Sequence, residues 1–493
     1  MTTGDDLSTR WDDRVARWAW VGRPAAETLE ERTRRRVWVH LLPLLFGLYV
    51  LAYVDRSNVS VAKFGMVKPP AAGGLGFDDA IIGFGSGIFF WGYWILEVPS
   101  TLSVERRGAR WVFCRILVLW GIAASLMGFT GTPWLGALFG WLPQLPDSHG
   151  APWSAAFRHW NQLSVNAESQ FYFLRFMLGF FEGGFFPTVV MYLSTWFKAD
   201  HRAKAMACFL AAMPLSNAFG APLSQWISDH VAWGGLPGWR WIYILEGAAP
   251  VLAAAGVWFC LPDRPQTARW LDEDQHQWLL GELADEKRRK AERHQGAWKG
   301  RLAMVLLLTV VYFCQAVASY GIVFFLPSII KAQMHVSETW SAWVAALWLI
   351  IAFAGMQYCG WRSDRRCERI GHAAVPLATV GVGLIVVGTM PHHPWVSIAA
   401  FVLLIGPAIY AHMPPFWSTP TMFLGSTAAA SAIGFINMVG NLGGSVGPMI
   451  IGDAAKHKDF AAGLLRTAPF PLVGAAILLV LGYLQRRRLK DGG

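Results

Sequence analysis

Four charged side chains interrupt long apolar runs of this sequence. Asp55 and Arg56 are adjacent in LLFGLYVLAYVDRSNVSVAK, and Arg175 and Glu182 lie seven residues apart in RFMLGFFEGG. Seven residues make two helical turns, so both side chains of the second pair should project from one face. A charge at the centre of a bilayer costs roughly 2.5–3.5 kcal/mol, so four exposed to lipid would cost on the order of 10 kcal/mol. If these runs cross a membrane, the four groups must face one another or a wet cavity.

The balance of two acids and two bases suggests a chemistry. Protonation of one carboxylate leaves a net positive charge and frees an arginine, whose planar fork binds an organic carboxylate through two hydrogen bonds. Removal from water favours the neutral form of a carboxyl group, which helps such a site to take up protons. The pattern therefore predicts a site that couples proton uptake to anion binding. The alternative is an inert network that locks helices together, although buried ion pairs seldom stabilise a protein more than apolar residues would.

Further polar side chains within apolar runs could complete this site. Tyr53 precedes Asp55 by two residues, Tyr93 lies in the second apolar run, and Asn437 lies in the eleventh. We expect these three side chains to line a cavity, although a membrane Tyr or Asn often makes only an interhelical hydrogen bond.

The composition indicates a membrane protein. The chain has 493 residues, of which 54% are hydrophobic and 15% are charged, whereas soluble domains have about 25% charged residues. The net charge of +10 comes from short basic blocks between apolar runs, which argues against nucleic acid as a partner. The sequence has no phosphate-binding, dinucleotide-binding or zinc-protease motif, and its six cysteines have no metal-ligand spacing. We therefore expect neither an enzyme nor a bound metal or cofactor.

Twelve apolar runs are long enough to span a bilayer, since a helix needs about 20 apolar residues to cross the hydrocarbon core. The predicted fold class is an all-α membrane protein of twelve transmembrane helices in two six-helix bundles. The predicted spans are 37–64, 80–103, 111–130, 170–197, 203–229, 239–261, 301–330, 337–360, 373–390, 395–415, 425–452 and 467–486.

A polar stretch divides these spans six and six. The expected regions are an N-terminal segment (1–36), a first bundle (37–262) with an insertion at 131–169, a linker (263–299), and a second bundle with a basic tail (300–493). Lys and Arg concentrate in the loops on one side of the membrane, so both termini and the linker should be cytoplasmic.

Two basic loops occupy equivalent positions in the two halves. VERRGAR (104–110) joins the second and third spans, and WRSDRRCERIGH (361–372) joins the eighth and ninth. Parallel repeats of six helices are typical of transporters. We expect these charges to hold neighbouring helices together in one state and release them in the other. The expected gating residues are Glu105, Arg106, Arg110, Asp364, Arg365 and Arg369.

Several longer stretches run through most of the chain in the order typical of one family. They include GFGSGIFFWGYWILEVPSTLSVERRGAR, YFLRFMLGFFEGGFFPTVVMYLSTWF, RAKAMACFLAAMPLSNAFGAPLSQWI and INMVGNLGGSVGPMIIG, together with the first span. The chain resembles the major facilitator superfamily and, within it, the anion:cation symporter family of organic-anion transporters. The resemblance implies two helical bundles around a central cavity and alternating access. It also implies proton coupling at Asp55 and Glu182 and substrate handling by Arg56 and Arg175.

The insertion departs from this resemblance, because the loop between the third and fourth spans is short in the family. Residues 131–169 are rich in Trp and Pro and nearly uncharged. We interpret the insertion as an elaboration at the membrane–water interface on the outer, periplasmic side of the inner membrane. The alternative is a lid or a partner site.

The sequence thus predicts a monomeric transporter that imports a small organic anion with protons across a bacterial inner membrane. A proton is preferred to sodium because no carboxylate–hydroxyl cage for sodium stands out. The alternatives are a proton antiporter that exports drugs or anions, and a membrane sensor that binds a ligand without transporting it.

Overall fold

The computed structural model describes residues 28–143, 154–292, 302–366, 368–390, 393–423 and 426–491. This part of the chain is nearly all helical. Its α-helices are α1 (Leu29–Ser57), α2 (Val59–Met66), α3 (Asp79–Arg107), α4 (Ala109–Met127), α5 (Pro133–Phe139), α6 (Ser154–Asn161), α7 (Ala167–Glu182), α8 (Phe185–Trp196), α9 (Ala199–Leu210), α10 (Ala212–His230), α11 (Gly238–Cys260), α12 (Glu273–Glu292), α13 (Leu302–Met334), α14 (Glu338–Arg366), α15 (Ile370–Thr389), α16 (Pro394–Ala400), α17 (Gly406–Ala408), α18 (Met413–Phe423), α19 (Ser426–Gly440), α20 (Gly443–Lys456), α21 (Phe460–Thr467) and α22 (Pro469–Asp491).

Eleven helical segments of the described residues are long and apolar enough to cross a membrane. They confirm the first ten predicted spans and the twelfth. The eleventh predicted span, 425–452, is covered by two helices instead, α19 with 15 residues and α20 with 14. Each of these helices alone is shorter than the bilayer core requires.

The fourth predicted span is also broken, at the point where a predicted site residue lies. Helix α7 ends at Glu182, and α8 begins only after Gly183 and Gly184. Gly184 has a φ of 91°, a left-handed conformation that glycine adopts without steric cost. A Cβ atom at Gly184 would lie 2.1 Å from the Cβ atom of Ser100. The break therefore lets the chain pass close to α3 and leaves Glu182 as the last residue of its helix.

The linker helix α12 packs against the first helix. Gln275 accepts a hydrogen bond from the backbone N–H of Asp272 at 3.2 Å, so it helps to cap the start of α12. Arg36 of α1 then donates to Gln275 at 3.0 Å and forms an ion pair with Asp272 at 2.9 Å. These contacts fix the linker helix beside the first bundle.

Residues 28–262 and 302–491 are called the first and second halves below. The halves meet at the end of the molecule that carries residues 67–78, 231–237, 335–337 and 457–459, which we call the Asp78 end. Helix α20 approaches α3 so closely there that a Cβ atom at Gly83 would lie 2.4 Å from the carbonyl oxygen of Pro448. Lys456 also forms an ion pair with Asp78 at 3.0 Å, and α10 packs on α14.

The opposite end carries residues 104–110, 261–272 and 361–369 and is called the Arg110 end. The apolar core differs between the two ends. One core cluster contains residues of both halves. A second cluster contains only residues of the second half near the Arg110 end, including Val305, Leu308, Tyr312, Ile370, Phe416, Ile436 and Leu478. At this end the second half packs on itself.

Candidate functional site

Arg56 lies where the two halves meet. It sits in the last turn of α1 and forms a buried ion pair with Glu182 at the end of α7. Its Nη1 atom donates to the hydroxyl of Tyr320, on α13 of the second half, at 3.2 Å. One guanidinium group therefore connects an acid of its own half to a polar side chain of the other half.

Aromatic rings surround this guanidinium group. Its central carbon lies 4.8 Å from the ring centroid of Tyr53, 5.2 Å from that of Phe89 and 5.3 Å from that of Tyr93. Such contacts attract a cation to the ring faces and exclude water from around it. The structure thus brings Tyr53 and Tyr93 together with Arg56, and the expectation that they line a substrate cavity stays a prediction.

Arg175 is fully buried on α7 and incompletely paired. Its Nε atom donates to the backbone carbonyl of Gly85 at 3.2 Å. Its Nη1 and Nη2 atoms have no hydrogen-bond partner among the described residues. The guanidinium group lies 5.3 Å from the ring of Phe89, the same ring that Arg56 contacts. A buried arginine with two unused donors is suited to receive an anionic group.

Asp55 is held by neutral donors. Its Oδ2 atom accepts a hydrogen bond from the indole of Trp120 on α4, and its Oδ1 atom accepts one from Asn58 at 3.0 Å. No arginine of the described residues lies within ion-pair distance of Asp55, although Arg175 is near enough to interact electrostatically. The four predicted charges therefore form one ion pair, Arg56–Glu182, and a separate group around Asp55.

Glu246 is a buried acid that the sequence reasoning missed. It lies on α11 and accepts a hydrogen bond from Ser224 of α10 at 2.7 Å. The carboxyl group of Glu246 also interacts with Asp55 and with the Asn58 side chain. The signal was available, because Glu246 interrupts the apolar run WIYILEGAAP in the way that Glu182 interrupts its own run.

Asn437 joins the halves through an acid that also interacts electrostatically with Arg56. It lies on α19, and its side-chain amide donates to Glu97 of α3 at 2.8 Å. Both residues are buried. Asn437 therefore makes an interhelical hydrogen bond, and its role as a substrate contact stays a prediction.

The predicted gating residues with described polar contacts, Arg110, Asp364 and Arg369, make them within or directly beside their own half. Arg110 donates through its side chain to the carbonyl of Leu261 at 2.7 Å and through its backbone N–H to Asp263 at 2.9 Å. In the second half, Arg369 forms an ion pair with Asp364.

The other gating residues make fewer described contacts. Arg365 lies over the ring of Trp361 at 5.1 Å, and Arg106 is exposed. The side chain of Glu105 lies outside the described part of the chain. The gating role of these residues stays a prediction.

The described part of the insertion packs on its own half. Trp160 and Phe139 both contact the ring of Phe173 on α7 edge to face. Trp141 and Trp134 are exposed, the first to 90% of its surface. Exposed tryptophans suit the membrane–water interface, which favours the interpretation of the insertion as an interfacial elaboration. Residues 144–153 lie outside the described residues.

The arrangement combines arginine donors with ionisable acids in a buried region. Among the described residues, no group of three or more His, Cys, Asp or Glu side chains could hold a metal ion. Two arginines, Arg56 and Arg175, and four acids, Asp55, Glu97, Glu182 and Glu246, are buried in this region, and protonation of an acid that pairs with an arginine would free a donor of that arginine.

Three comparisons identify relatives. A protein of Agrobacterium vitis with the name "Putative tartrate transporter" is 35% identical, over 94% of this chain and 97% of the relative. The "Quinolone resistance transporter" of Acinetobacter baumannii is 31% identical, over 94% and 96%. A bacterial homologue of the human lysosomal transporter Spinster, solved in an inward-facing and occupied conformation, has a TM-score of 0.64 at 14% identity, over 90% of this chain and 97% of that chain.

The structural likeness confirms the predicted all-α membrane fold, and the relatives are transporters rather than enzymes. The family description "Major Facilitator Superfamily" matches residues 45–448, which is most of the chain. The chain therefore belongs to the major facilitator superfamily of membrane transporters.

Proposed function

We propose that this transporter imports a small organic anion, most simply a carboxylate, together with protons. The observation that carries the proposal is the Arg56–Glu182 ion pair and its contact with Tyr320. While Glu182 is ionised, it occupies the Nη2 donor of Arg56. Protonation of Glu182 releases that donor, and an anion can then take the place of the carboxylate.

The coupling follows from the cost of a buried unpaired charge. An arginine that is removed from water needs a counter-charge. Arg56 can have either ionised Glu182 or a bound anion, and the anion binds best when Glu182 is protonated. Proton and anion therefore bind together and leave together. Tyr320 connects this exchange to the second half, which must move relative to the first in alternating access.

The topology is part of the proposal. The positive-inside rule places the Arg110 end in the cytoplasm of a bacterial cell, with both termini and the 263–299 linker on that side. The halves are packed together at the Asp78 end, which in the proposed orientation would be a state closed toward the outside. The Arg56–Glu182 pair is the form expected once anion and proton have left.

Cysteine labelling tests this topology in intact cells. A cysteine at Gly281 in the linker helix, where the chain is exposed, should resist a membrane-impermeant thiol reagent. A cysteine at Trp141 in the insertion should be labelled. The reverse pattern would overturn the orientation and, with it, the assignment of the closed end to the outside.

Transport of tartrate is the first assay, because a relative carries that name. Proteoliposomes that contain the purified protein should accumulate radiolabelled tartrate when the outside is acidic. This accumulation should stop when a protonophore removes the pH gradient. A thermal-shift screen against other carboxylates extends the search if tartrate gives no signal. The proposal fails if no carboxylate either binds or is moved by a pH gradient.

Arg175→Lys tests the second arginine. Lysine keeps the charge but loses the two parallel donors of the guanidinium fork. If Arg175 binds the anion, affinity should fall about tenfold or more, since a hydrogen bond to a charged group contributes roughly 1.5–3 kcal/mol. The matched control is Arg240→Lys, whose guanidinium binds the carbonyls of Gly128 and Thr130. Wild-type affinity in Arg175→Lys would show that this residue only balances charge.

A proton-driven exporter is the second candidate. It is favoured by the 31% identity to a relative with the name "Quinolone resistance transporter". An exporter that exchanges its substrate for protons would accumulate a fluoroquinolone in vesicles that are acidic inside. A symporter would accumulate tartrate in vesicles that are acidic outside. Opposite gradients therefore separate the two candidates.

A further inference from the structure

Two side chains that the sequence pattern did not single out hold the break after Glu182. Ser100 of α3 is fully buried, and its hydroxyl donates to the backbone carbonyl of Gly183 at 3.0 Å. Arg115 of α4 donates through Nη2 to the same hydroxyl at 2.8 Å. Arg115 and Ser100, which we call the brace, therefore form a hydrogen-bonded chain that ends one residue from Glu182.

The end of a helix inside a bilayer needs such partners. The last carbonyl groups of an α-helix have no donor within the helix, and the hydrocarbon core supplies no water in its place. The Ser100 hydroxyl uses both of its capacities here, since it donates to Gly183 and accepts from Arg115. The brace thus stabilises an interruption that would otherwise leave a buried carbonyl group unpaired.

The backbone of α3 also fixes the break. A Cβ atom at Gly183 would lie 2.5 Å from the carbonyl oxygen of Tyr93, so the end of α7 lies directly against α3. The ring of Tyr93 contacts the guanidinium group of Arg56 at 5.3 Å. The helix that carries Ser100 therefore contacts both the end of α7, where Glu182 lies, and the arginine that Glu182 binds.

Arg115 has no carboxylate partner among the described residues. The charged group that interacts with it is another arginine, Arg107, and its guanidinium carbon lies 5.6 Å from the ring of Trp111. A hydrogen bond from a charged donor is roughly twice as strong as one between neutral groups. Such a donor also polarises the Ser100 hydroxyl and strengthens the next bond of the chain.

The brace does not act on Glu182 through charge. The charged and titratable groups of the described residues that interact with Glu182 are Arg56, Asp55 and Tyr49 of α1, Tyr93 of α3, and Arg175 of α7. Arg115 is absent from this set. Its influence on Glu182 therefore passes through the position of the helix end.

We propose that Ser100 and Arg115 are positioning residues that hold the carboxylate of Glu182 on Arg56. Their role in transport rests on the proposed function, in which an anion competes with ionised Glu182 for Arg56. The brace favours Glu182 in that competition, because a carboxylate that is already fixed beside the guanidinium group loses little freedom when it pairs. Anion binding then depends on protonation of Glu182. A loosened brace lets the anion bind while Glu182 is still charged.

Ser100→Ala tests the brace by removing the shared hydroxyl. Loss of one hydrogen bond changes an equilibrium by about two- to tenfold. Tartrate affinity of the purified protein, measured by calorimetry at the alkaline end of the wild-type pH profile, should rise by about that factor. At the acid end it should stay unchanged, because protonated Glu182 does not compete. A purely structural role would lower the affinity at both ends and would overturn the proposal.

Variants at neighbouring positions separate the brace from general damage. Ser103→Ala removes a hydroxyl that donates to the carbonyl of Pro99 in its own helix at 2.9 Å, so it should behave as the wild type. Arg115→Met should reproduce the gain at alkaline pH, whereas Arg115→Lys keeps a donor and should restore most of the wild-type profile. The double variant Ser100→Ala/Arg115→Met should equal Ser100→Ala alone, because both changes break one chain. Additive effects would contradict that chain.

A measurement without ligand applies if tartrate is not the substrate. Infrared difference spectra of the purified protein, titrated from alkaline to acid pH, contain a carboxylic-acid band of Glu182 that is identified by its absence in Glu182→Gln. This band should appear at higher pH in Ser100→Ala and Arg115→Met, because ionised Glu182 loses part of its pairing with Arg56. An unchanged onset in both variants would overturn the proposal. If the onset shifts but no carboxylate binds to the wild type, the brace exists and the proposed function has failed.

Discussion

The two ends of the molecule hold their charged and polar groups in opposite ways. At the Asp78 end the halves touch directly, through glycine-mediated helix packing and through Lys456–Asp78. At the Arg110 end the charged loops are bound inside their own halves, Arg110 to Leu261 and Arg369 to Asp364. Contact between the halves at the Asp78 end therefore depends mainly on close backbone packing, whereas the Arg110 end satisfies its charges locally. Alternating access requires that these two conditions exchange.

The difference can be measured by labelling both ends. Spin labels at Ala71 and Lys458 report the distance between the halves at the Asp78 end, and labels at Lys204 and Arg366 report the Arg110 end. All four positions are exposed. Each substitution below should change the two distance distributions in opposite directions.

Gly83→Ala should have the largest effect. A Cβ atom at this position would lie 2.4 Å from the carbonyl oxygen of Pro448 and 3.0 Å from the Cα atom of Gly452. Both obstacles are backbone atoms and cannot rotate away. Overpacking typically costs about 1–3 kcal/mol, so the population closed at the Asp78 end should fall by roughly tenfold or more. Gly256→Ala is the control, because nothing lies within 4 Å of its added Cβ atom. An unchanged closed population in Gly83→Ala would contradict the packing argument.

Phe325→Leu should have an intermediate effect. The ammonium group of Lys63, in the first half, lies 3.9 Å from the ring centroid of Phe325 in the second half. A cation–π contact contributes about 0.5–2 kcal/mol, depending on its exposure to water. The Lys63 ammonium keeps its ion pair with Asp79, and leucine retains most of the apolar packing. The closed population should fall severalfold. Phe259→Leu is the control at a ring that is 82% exposed; an equal response from both variants would assign the effect to lost hydrophobic area.

Asp78→Asn should have the smallest effect. Its ion pair with Lys456 is partly exposed, and such pairs contribute about 0.2–1 kcal/mol. Asparagine still caps α3 in place of Asp78, so the substitution removes only the ion pair. Lys456→Met should give the same small shift without touching the cap. A tenfold shift in either variant would show that the ion pair, rather than the packing, holds this end closed.

The pH dependence of this ion pair follows from the pKa of Asp78. Burial acts to raise that pKa, but the backbone N–H of Ile81 and the Lys456 ammonium outweigh it and hold the pKa below its usual range. A carboxyl group with a lowered pKa loses its contribution only as the pH falls below about 4. Between pH 5 and pH 8 the distance at the Asp78 end should therefore respond to pH equally in the wild type and in Asp78→Asn. A response that disappears in Asp78→Asn would make this pair the pH sensor.

The sequence predicted the spans better than their interruptions. Apolar runs of about 20 residues identify membrane helices directly, and eleven spans follow from this pattern. The break after Glu182 arises from the approach of Gly184 to Ser100, and a tertiary contact of this kind leaves no mark in the apolar pattern. The split of the eleventh span between α19 and α20 was missed in the same way.

The sequence predicted which charged side chains are buried better than it predicted how they pair. Charges in apolar runs identified Asp55, Arg56 and Glu182, all of which are buried. The pattern could not show that Asp55 is held by Trp120, because an indole N–H in an apolar run carries no polar signal. Glu246 did carry such a signal, and the balanced count of two acids and two bases left out both Glu246 and Glu97, which are buried.

Glu182→Gln tests the central claim most directly. Glutamine imitates the protonated acid permanently, so Arg56 stays free to bind the anion but has no carboxylate to replace it. The substituted protein should still exchange labelled for unlabelled tartrate across the membrane, because exchange never requires the anion-free form.

Net uptake driven by a pH gradient should be lost in the same vesicles, because the anion-free carrier would return with Arg56 buried and unpaired. Arg240→Lys, reconstituted in parallel, should retain both activities. Exchange without net uptake is the result that this account predicts. Net uptake at the wild-type rate and ratio in Glu182→Gln would contradict it and would make the Arg56–Glu182 pair a structural contact.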